Sequence, residues 1–177
     1  MLVFFAKWFA IFAHWSIGHK RKYTGEPYNV HLAEVATLVQ SVGGTKYQIA
    51  AAWLHDTVED TWVRNWMIRV LFGWVVAEMV HGLTGASKPT DGNRKIRKEI
   101  DRIHYWKQPP RVKTIKLADN ISNLTSVTEH DPRFAVTYFK EASTLLPGLV
   151  EGNLELFIKM QEIINGVDFP QCVFERA

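Results

Sequence analysis

The sequence has almost no cysteine: Cys172 is the only one in 177 residues. A single thiol cannot form a disulfide within the chain, and it cannot build a zinc site from cysteine pairs. A disulfide-stabilised secreted scaffold is therefore excluded. A reducing compartment is the simpler interpretation, and we expect a cytoplasmic protein.

Long hydrophobic runs are also missing. The longest candidate, residues 1–15, is interrupted by Lys7 and is shorter than the roughly 20 apolar residues that a spanning helix needs. It also lacks the early positive charge and the small-residue cleavage site of a signal peptide. The segment predicts a buried first helix, with a membrane-surface or partner-binding helix as the alternative. No membrane is expected as a partner.

Positive charge exceeds negative charge only slightly. Lys plus Arg number 21 against 18 Asp plus Glu, which gives a net charge of +3. This excess can attract an anionic ligand, but it is too small to predict binding to nucleic acid. The basic residues of segment 95–102 come without a recognisable nucleic-acid-reading motif, so no nucleic-acid partner is expected.

The hydrophobic pattern is helical almost everywhere, and no segment has a convincing strand pattern. Glycine and proline pairs separate the helical segments, and polar loops are expected at 18–28 and 84–93. The pattern predicts an all-α single domain, residues 1–177, that forms a helical bundle of about eight or nine helices. The predicted helices cover residues 1–15, 29–42, 46–60, 62–72, 74–83, 94–107, 111–128, 132–146 and 149–164, with an irregular tail from Asn165.

Aromatic residues are abundant, and their helical phase assigns most of the tryptophans to the core. The alternative is that some of them form an oligomer interface, so a homo-oligomer stays possible. The seven tryptophans are Trp8, Trp15, Trp53, Trp62, Trp66, Trp74 and Trp106.

Ionisable residues at apolar positions are the informative exception, because a buried charge is costly unless it is paired or bound to a metal. His55 and Asp56 fall in the middle of an apolar helix, and Glu59 and Asp60 follow one turn later. A continuous helix would stack His55 over Glu59 and Asp56 over Asp60. The spacing predicts a cluster of ionisable groups on one helix face.

Two further candidates extend this cluster. Asp119 lies in a second apolar run, and His31 lies in the first turn of another apolar helix. Two histidines and two aspartates are a plausible ligand set for manganese, and magnesium, zinc, iron or cobalt also fit. Ordinary hydrogen-bonded pairs without a metal are the alternative.

The strings HDTVEDT at 55–61 and KLAD at 116–119, preceded by His31, resemble the HD-domain metal phosphohydrolases. More narrowly, they resemble the hydrolase domain of the RelA/SpoT alarmone enzymes and the small alarmone hydrolases. The resemblance is strongest over residues 18–125. It implies an enzyme with one divalent metal, typically Mn²⁺, that removes the 3′-pyrophosphate of a phosphorylated purine nucleotide, (p)ppGpp or (p)ppApp.

The resemblance also implies roles for single residues. Glu59 and Asp60 correspond to the catalytic pair that positions and deprotonates the attacking water. The implied metal ligands are His31, His55, Asp56 and Asp119. The need for cations beside an anionic substrate adds Lys20 and Arg94 to the resemblance-based contacts. The candidate substrate-binding residues are Lys20, Arg21, Lys22, Arg94, Lys116 and Asn123.

The sequence departs from the family pattern on the nucleotide side. Residues 81–85 read HGLTG, and Asn120 and Ser122 replace the Arg and His of the family string. The base preference therefore stays open. The alternatives are another phosphorylated nucleotide, such as the 2′-phosphate of NADPH or a nucleoside monophosphate, and a non-catalytic nucleotide-binding regulator on the same scaffold.

Overall fold

The computed structural model describes residues 1–22 and 24–166, and this part of the chain is helical. The only β-pairing within it is an isolated antiparallel bridge between Lys20 and Pro27. The predicted all-α class is therefore confirmed. Ten α-helices are present in the described ranges: α1 (Leu2–Ser16), α2 (Asn29–Ser41), α3 (Lys46–Leu54), α4 (Thr57–Asp60), α5 (Asn65–Phe72), α6 (Trp74–Leu83), α7 (Arg94–Trp106), α8 (Pro110–His130), α9 (Pro132–Leu145) and α10 (Leu154–Asn165).

Helix ends follow the local signals in the sequence where a cap is encoded. Thr45 and Gln48 form the reciprocal capping box at the start of α3. The Asn93 side chain accepts a hydrogen bond from the backbone N–H of Ile96 at the start of α7, at 3.1 Å. Asp131 caps α9 in the same way. The tail beyond Gly166, which includes Cys172, lies outside the described residues.

Helix α8 runs through the middle of the molecule. Its apolar side chains, including Leu117, Ala118 and Leu124, are fully buried. It packs against α2, α3 and α6 on one side and against α9 and α10 on the other. This central position brings the polar residues of α8 next to those of α2 and α3. None of the helices in the described ranges is long and apolar enough to cross a membrane.

The predicted single helix over residues 46–60 is wrong, because the chain breaks between α3 and α4. His55 Nδ1 lies 2.7 Å from the carbonyl oxygen of Ala52, and the Thr57 hydroxyl donates to the carbonyl oxygen of Leu54 at 2.7 Å. These side chains take carbonyls that a continuing helix would have used for its backbone. The break, rather than regular helical stacking, sets the direction of His55.

The end of the chain also differs from the prediction. A 3₁₀-helix, Leu146–Leu149, follows α9, and α10 begins only at Leu154. At Gly148 an added Cβ would lie 1.8 Å from Cδ1 of Trp106, so only glycine permits this close approach. Similarly, α5 begins at Asn65 instead of Trp62, because Arg64 is in an extended conformation.

The prediction of a buried first helix is wrong for half of α1. Its alanines Ala6, Ala10 and Ala13 face the core, whereas all its aromatic side chains except that of Phe9 are exposed. Small residues at this spacing let α1 approach α3 closely, and the larger side chains have no room there. The expectation that most tryptophans are core residues also fails: Trp53 is buried, but five others are exposed, namely Trp8, Trp15, Trp62, Trp66 and Trp74.

Candidate active site

Four side chains that the sequence singled out converge where α2, α8 and the α3–α4 break meet. The Nε2 atoms of His31 and His55 are 3.3 Å apart. Oδ1 of Asp119 lies 3.3 Å from Nε2 of His31 and 3.8 Å from Nε2 of His55. Oδ2 of Asp56 lies 2.9 Å from Nε2 of His55 and 3.6 Å from Nε2 of His31. The histidines and Asp119 are buried, and Asp56 is nearly so.

A hydrogen bond at Nδ1 fixes the orientation of each histidine ring. Because the Ser122 hydroxyl donates to Oε2 of Glu34 at 2.5 Å, it is left to accept from His31 Nδ1 at 2.8 Å. His55 Nδ1 donates to the backbone oxygen of Ala52. In both rings Nδ1 therefore carries a proton, which leaves Nε2, directed at the centre of the cluster, as the nitrogen that can ligate a metal. This is the arrangement typical of metal-binding histidines.

The two carboxylates are held as firmly. Lys116 donates to Oδ2 of Asp119 at 2.8 Å, and the Asn123 amide donates to Oδ1 at 2.6 Å. The Tyr28 hydroxyl donates to Oδ2 of Asp56 at 2.6 Å. Every carboxylate of the cluster thus has a partner outside it, which fixes its orientation.

The electrostatics keep both aspartates ionised. Burial opposes the charged form of Asp119, but Lys116 and the two histidines outweigh it and hold its pKa well below the usual range. Burial likewise opposes the charge on Asp56, and His55 and His31 outweigh it. Conversely, burial lowers and the aspartates more strongly raise the pKa of each histidine. Without a metal, the two imidazoles therefore supply the positive charge that balances the two carboxylates, and a divalent ion would take over that role.

These residues fit a divalent metal. Nitrogen and oxygen ligands at about 2.0–2.2 Å from one ion lie on the order of 3.0–3.5 Å from each other when the angles between them are near octahedral or tetrahedral. Four of the separations described above, 2.9 to 3.6 Å, lie within about 0.1 Å of that range. The fifth, 3.8 Å between Oδ1 of Asp119 and Nε2 of His55, is slightly longer. His31, His55 and Asp56 alone already form a group with metal-binding spacing. Mixed imidazole and carboxylate donors suit metals of intermediate hardness.

Glu59 and Asp60 lie beside this cluster on α4, at the accessible side. Oε2 of Glu59 accepts a hydrogen bond from the backbone N–H of Gly85 at 3.1 Å. Desolvation in the cleft, together with the carboxylates of Asp56 and Glu59, raises the pKa of Asp60 to about 7. An acidic group with this pKa can exchange a proton near neutral pH.

A pocket of about 1090 Å³ opens between α2 and α8, on the Nδ1 side of His31, and none of the four cluster residues lines it. Its lining includes Arg21, Glu34 and Ser122, so it shares two residues with the chain of hydrogen bonds behind His31. Nη1 of Arg21 contacts Glu34 at 3.0 Å. Nη2 of Arg21 is buried and has no partner among the residues that the structure describes. Nη2 is thus an unsatisfied donor of a residue that lines the pocket.

The other predicted substrate-binding residues are placed in different ways. Lys22 and Arg94 both lie over the ring of Phe134, each at 5.1 Å from its centre, and Arg94 also pairs with Glu141. Lys116 and Asn123 hold Asp119, as described above. Lys20 is exposed and does not line the pocket.

Sequence reasoning missed four residues of the site: Tyr28, Glu34, Lys98 and Ser122. Burial, then Lys116, lowers the pKa of Lys98, and Arg94 acts in the same direction, so Lys98 belongs to the same group of cations. Its position one helical turn after Arg94 was a signal that could have been used. Glu34 and Ser122 carried no such signal, because their contact spans 88 positions of sequence.

The comparison with protein families agrees with this geometry. The family model described as HD domain matches residues 9–146. Since this match covers well over half of the chain, the chain belongs to the HD-domain family. The resemblance inferred from the HD and KLAD strings is thereby confirmed.

Individual relatives narrow the comparison. The chain is 35% identical over 124 residues to a probable guanosine-3′,5′-bis(diphosphate) 3′-pyrophosphohydrolase of Synechocystis, covering 68% of this chain and 16% of the relative. It is 34% identical over 116 residues to the guanosine-3′,5′-bis(diphosphate) 3′-pyrophosphohydrolase of Aquifex aeolicus, covering 66% of this chain and 17% of the relative. The chain thus spans about one sixth of the length of these curated relatives.

Solved structures match over a much larger share of their length. A metazoan orthologue of SpoT that hydrolyses ppGpp superposes with a TM-score of 0.83 at 27% identity, covering 93% of this chain and 94% of the other. A protein of Listeria monocytogenes matches in fold, with a TM-score of 0.68 at 24% identity over 82% of this chain and 98% of its own.

Proposed function

We propose that this protein is a metal-dependent hydrolase that removes the 3′-pyrophosphate of alarmone nucleotides, (p)ppGpp or (p)ppApp, and releases pyrophosphate. The observation that carries the proposal is the convergence of two Nε2 atoms and two carboxylates at the α3–α4 break, with Glu59 and Asp60 on the adjoining helix. The names of the Synechocystis and Aquifex relatives, and the activity of the metazoan SpoT orthologue, point to the same reaction.

In this proposal His31, His55, Asp56 and Asp119 hold one divalent ion, with Mn²⁺ as the expected metal. Such an ion, when bound, acidifies a water and polarises a phosphoryl oxygen. The role of the chain is to fix its four donors before the metal arrives. Hydrogen bonds from Tyr28, Lys116 and Asn123, and those behind the histidines, do this.

Glu59 and Asp60 are the proposed catalytic pair. Glu59, oriented by the Gly85 amide, directs the attacking water at the phosphorus attached to the ribose 3′ oxygen. Asp60, with a pKa near 7, accepts the proton of that water. A positioned general base of this kind contributes about 10²- to 10⁴-fold in rate.

The substrate is an anion, and the site supplies cations for it. Two of these cations, Lys22 and Arg94, lie over the ring of Phe134. Burial lowers the pKa of Lys98, and the nearby charges of Lys116 and Arg94 lower it further. We assign all four cations to the phosphates. Arg21 faces the pocket and is assigned to the nucleoside. Asn123 acts by holding Asp119, and Lys20 supplies long-range attraction only. The protein is expected to act in the cytoplasm.

Product analysis tests the proposal. The purified chain with Mn²⁺ is incubated separately with ppGpp, ppApp and NADPH, and the products are separated by anion-exchange chromatography. Glu59→Gln keeps the size and the hydrogen-bond acceptor of the side chain but removes the charge, so it should bind metal and lose turnover. Glu155→Gln, in the first turn of α10, is the matched control.

Pyrophosphate released from ppGpp or ppApp by the parent chain and by Glu155→Gln, but not by Glu59→Gln or with chelator, would support the proposal and settle the base. If phosphate were released from NADPH and neither alarmone were hydrolysed, NADPH would replace the alarmones as the proposed substrate. Metal binding without turnover of any of the three would overturn the hydrolase and favour a nucleotide-binding role.

A further inference from the structure

We infer that the outward surface of α1 and α5 is the interface of a symmetric dimer of this chain. The surface, called the aromatic face below, consists of large apolar side chains. Its members are Phe4, Phe5, Trp8, Phe12, Trp15, Trp66, Val70 and Leu71. This inference does not depend on the proposed reaction, because it uses none of the residues assigned to the metal or the substrate.

The first argument is that α1 exposes most of its aromatic side chains to water. Alanines face the core, whereas Phe5 and Trp15 on the other side are 58% and 74% exposed. Aromatic side chains supply more burial energy than any others when they leave water. Phe9 is the only aromatic residue of α1 that packs against the core, so the helix gains less by folding alone than its composition allows. A partner on the aromatic face would recover that energy.

The second argument is that the rings of α1 and the end of α5 form one continuous apolar surface. Phe9 packs edge-on against Phe72 of α5, with ring centres 5.5 Å apart, and Phe12 packs against Trp62 in the same way at 6.5 Å. Between the two helices lies a groove of about 560 Å³, with Phe5 and Trp8 on one wall and Leu71 on the other. Exposed rings therefore border an apolar groove directly.

The third argument is area. Each of the eight members is more than half exposed. Since aromatic side chains offer about 150–250 Å² each, the face presents on the order of 800–1,000 Å² per copy. A stable interface buries about 800 Å² per partner, and the largest apolar patch of a typical monomer is only about 300–600 Å². The aromatic face is too large for an ordinary monomer and large enough for a dimer.

A second copy fits this surface better than a lipid bilayer does. In a two-fold dimer the same surface must supply both the protruding groups and the cavity that receives them. The aromatic face has both, since exposed rings stand next to the groove. A bilayer surface would leave a concave groove unfilled.

The cations near the face do not favour anionic lipids. Lys7 lies over the rings of Trp8 and Trp53, and Arg69 lies over the ring of Trp74 at 4.6 Å. These positive charges are directed onto the protein's own rings. Attraction to anionic headgroups needs basic side chains that are presented outward.

Light scattering coupled to size exclusion, over about 1–200 µM protein, tests the inference. The tag must be removed or placed at the C terminus, because α1 begins at Leu2. We expect a mass of twice 20.4 kDa at the upper concentrations. Phe5→Glu and Leu71→Glu, on opposite walls of the groove, should each weaken dimerisation at least 100-fold. Leu154→Glu on α10, at a 65% exposed position outside the face, should leave it unchanged.

Circular dichroism of each variant confirms that it is folded. If a charged variant unfolds, the uncharged pair Phe5→Ser and Trp15→Ser replaces it. A parent chain that stays monomeric at 200 µM would overturn the inference, and flotation of that monomer with phosphatidylserine vesicles would assign the face to lipid instead. A dimer that both groove variants retain would also overturn it, because the interface would then lie elsewhere.

Discussion

The candidate metal centre and the aromatic face break the usual distribution of residues in opposite directions. At the metal centre ionisable groups lie inside the protein: His31 is 1% exposed and Asp119 6%. On the aromatic face large apolar side chains lie in water. In most proteins the interior is apolar and large apolar patches are rare at the surface.

The two regions differ in whether contacts within the chain offset the free-energy cost of burying charge or exposing apolar surface. Each buried group of the metal centre has partners within the chain, from Lys116 and Asn123 to the Ser122–Glu34 pair. The side chains of the aromatic face have contacts within the described residues, such as Lys7 over Trp8, but each remains more than half exposed. Internal compensation marks a site built to hold a small ligand, whereas missing compensation marks a surface whose partner is another molecule.

The largest effect is expected at the metal centre from Asp119→Asn. The substitution removes one ligand and the negative charge that faces His31, His55 and Lys116. Mn²⁺ affinity should fall at least about 1,000-fold, which is about 4 kcal/mol. Calorimetric titration with Mn²⁺ measures it, with Asp91→Asn as a control in the 84–93 loop. Affinity kept within tenfold would remove Asp119 from the ligand set.

On the aromatic-face helix, enlarging an inward residue should do harm. Ala10→Leu inserts three carbons at a fully buried position where α1 meets α3. Overpacking of this kind costs about 1–3 kcal/mol. Urea denaturation of the parent and the variant gives the difference. Unchanged stability would mean that α1 can shift outward, and the close α1–α3 packing would lose its explanation.

Behind the metal centre, Ser122→Ala should weaken metal binding without removing a ligand. His31 Nδ1 would lose its acceptor and Glu34 its donor. We expect about 10- to 100-fold lower Mn²⁺ affinity, followed by the electron paramagnetic resonance signal of free Mn²⁺. Ser122→Thr, which keeps the hydroxyl, should bind Mn²⁺ as tightly as the parent, and so should Ser126→Ala on the same helix. Equal affinity in Ser122→Ala and the parent would show that the hydroxyl does not orient His31.

Between the two regions, at the end of α1, His14 should make stability depend on pH. Burial, only partly opposed by Asp56, lowers its pKa from 6.5 to about 4. Its Nε2 has no partner among the described residues. Because the unfolded chain takes up this proton first, stability is complete above pH 6.5 and falls as the pH drops toward 4.

Replacing that imidazole isolates its contribution. Relative to His14→Gln, the parent should lose about 2 kcal/mol of unfolding free energy between pH 7 and pH 5. Urea denaturation at both pH values measures the difference between the two chains. If the unfolding free energies of the parent and the variant changed equally with pH, the pKa of His14 would be the same in the folded and the unfolded chain.

The smallest effect is expected on the aromatic face itself. Trp15→Ser removes a mostly exposed ring whose close aromatic neighbour is Phe12. At concentrations where the chain is monomeric, stability should change by less than about 1 kcal/mol. Trp53→Ser, at a buried position, is the contrasting variant and should cost about 3–5 kcal/mol. A similar loss in both would mean that Trp15 packs inside the protein in solution.

Much of the fold and of the site could be predicted from local pattern. Helical spacing and caps at Thr45, Asn93 and Asp131 are local signals, and the structure shows those helices starting where expected. His31, His55, Asp56 and Asp119 stood out because charged residues at apolar positions are rare. The break after Leu54 could not be seen, because it depends on side chains that take backbone carbonyls from their own helix.

The sequence by itself determined the helical class, most helix boundaries and the four residues of the candidate metal centre, because periodicity and misplaced charge are properties of neighbouring positions. Only the tertiary structure decided that Ser122 and Glu34 stand behind His31 and that Arg21 faces a pocket. It also decided that the aromatic side of α1 points outward. Hydrophobicity tells that a side chain prefers to leave water, but which face of a helix reaches the core depends on how closely its neighbours can pack. That choice fell to alanine here, and the aromatic residues were left for a partner.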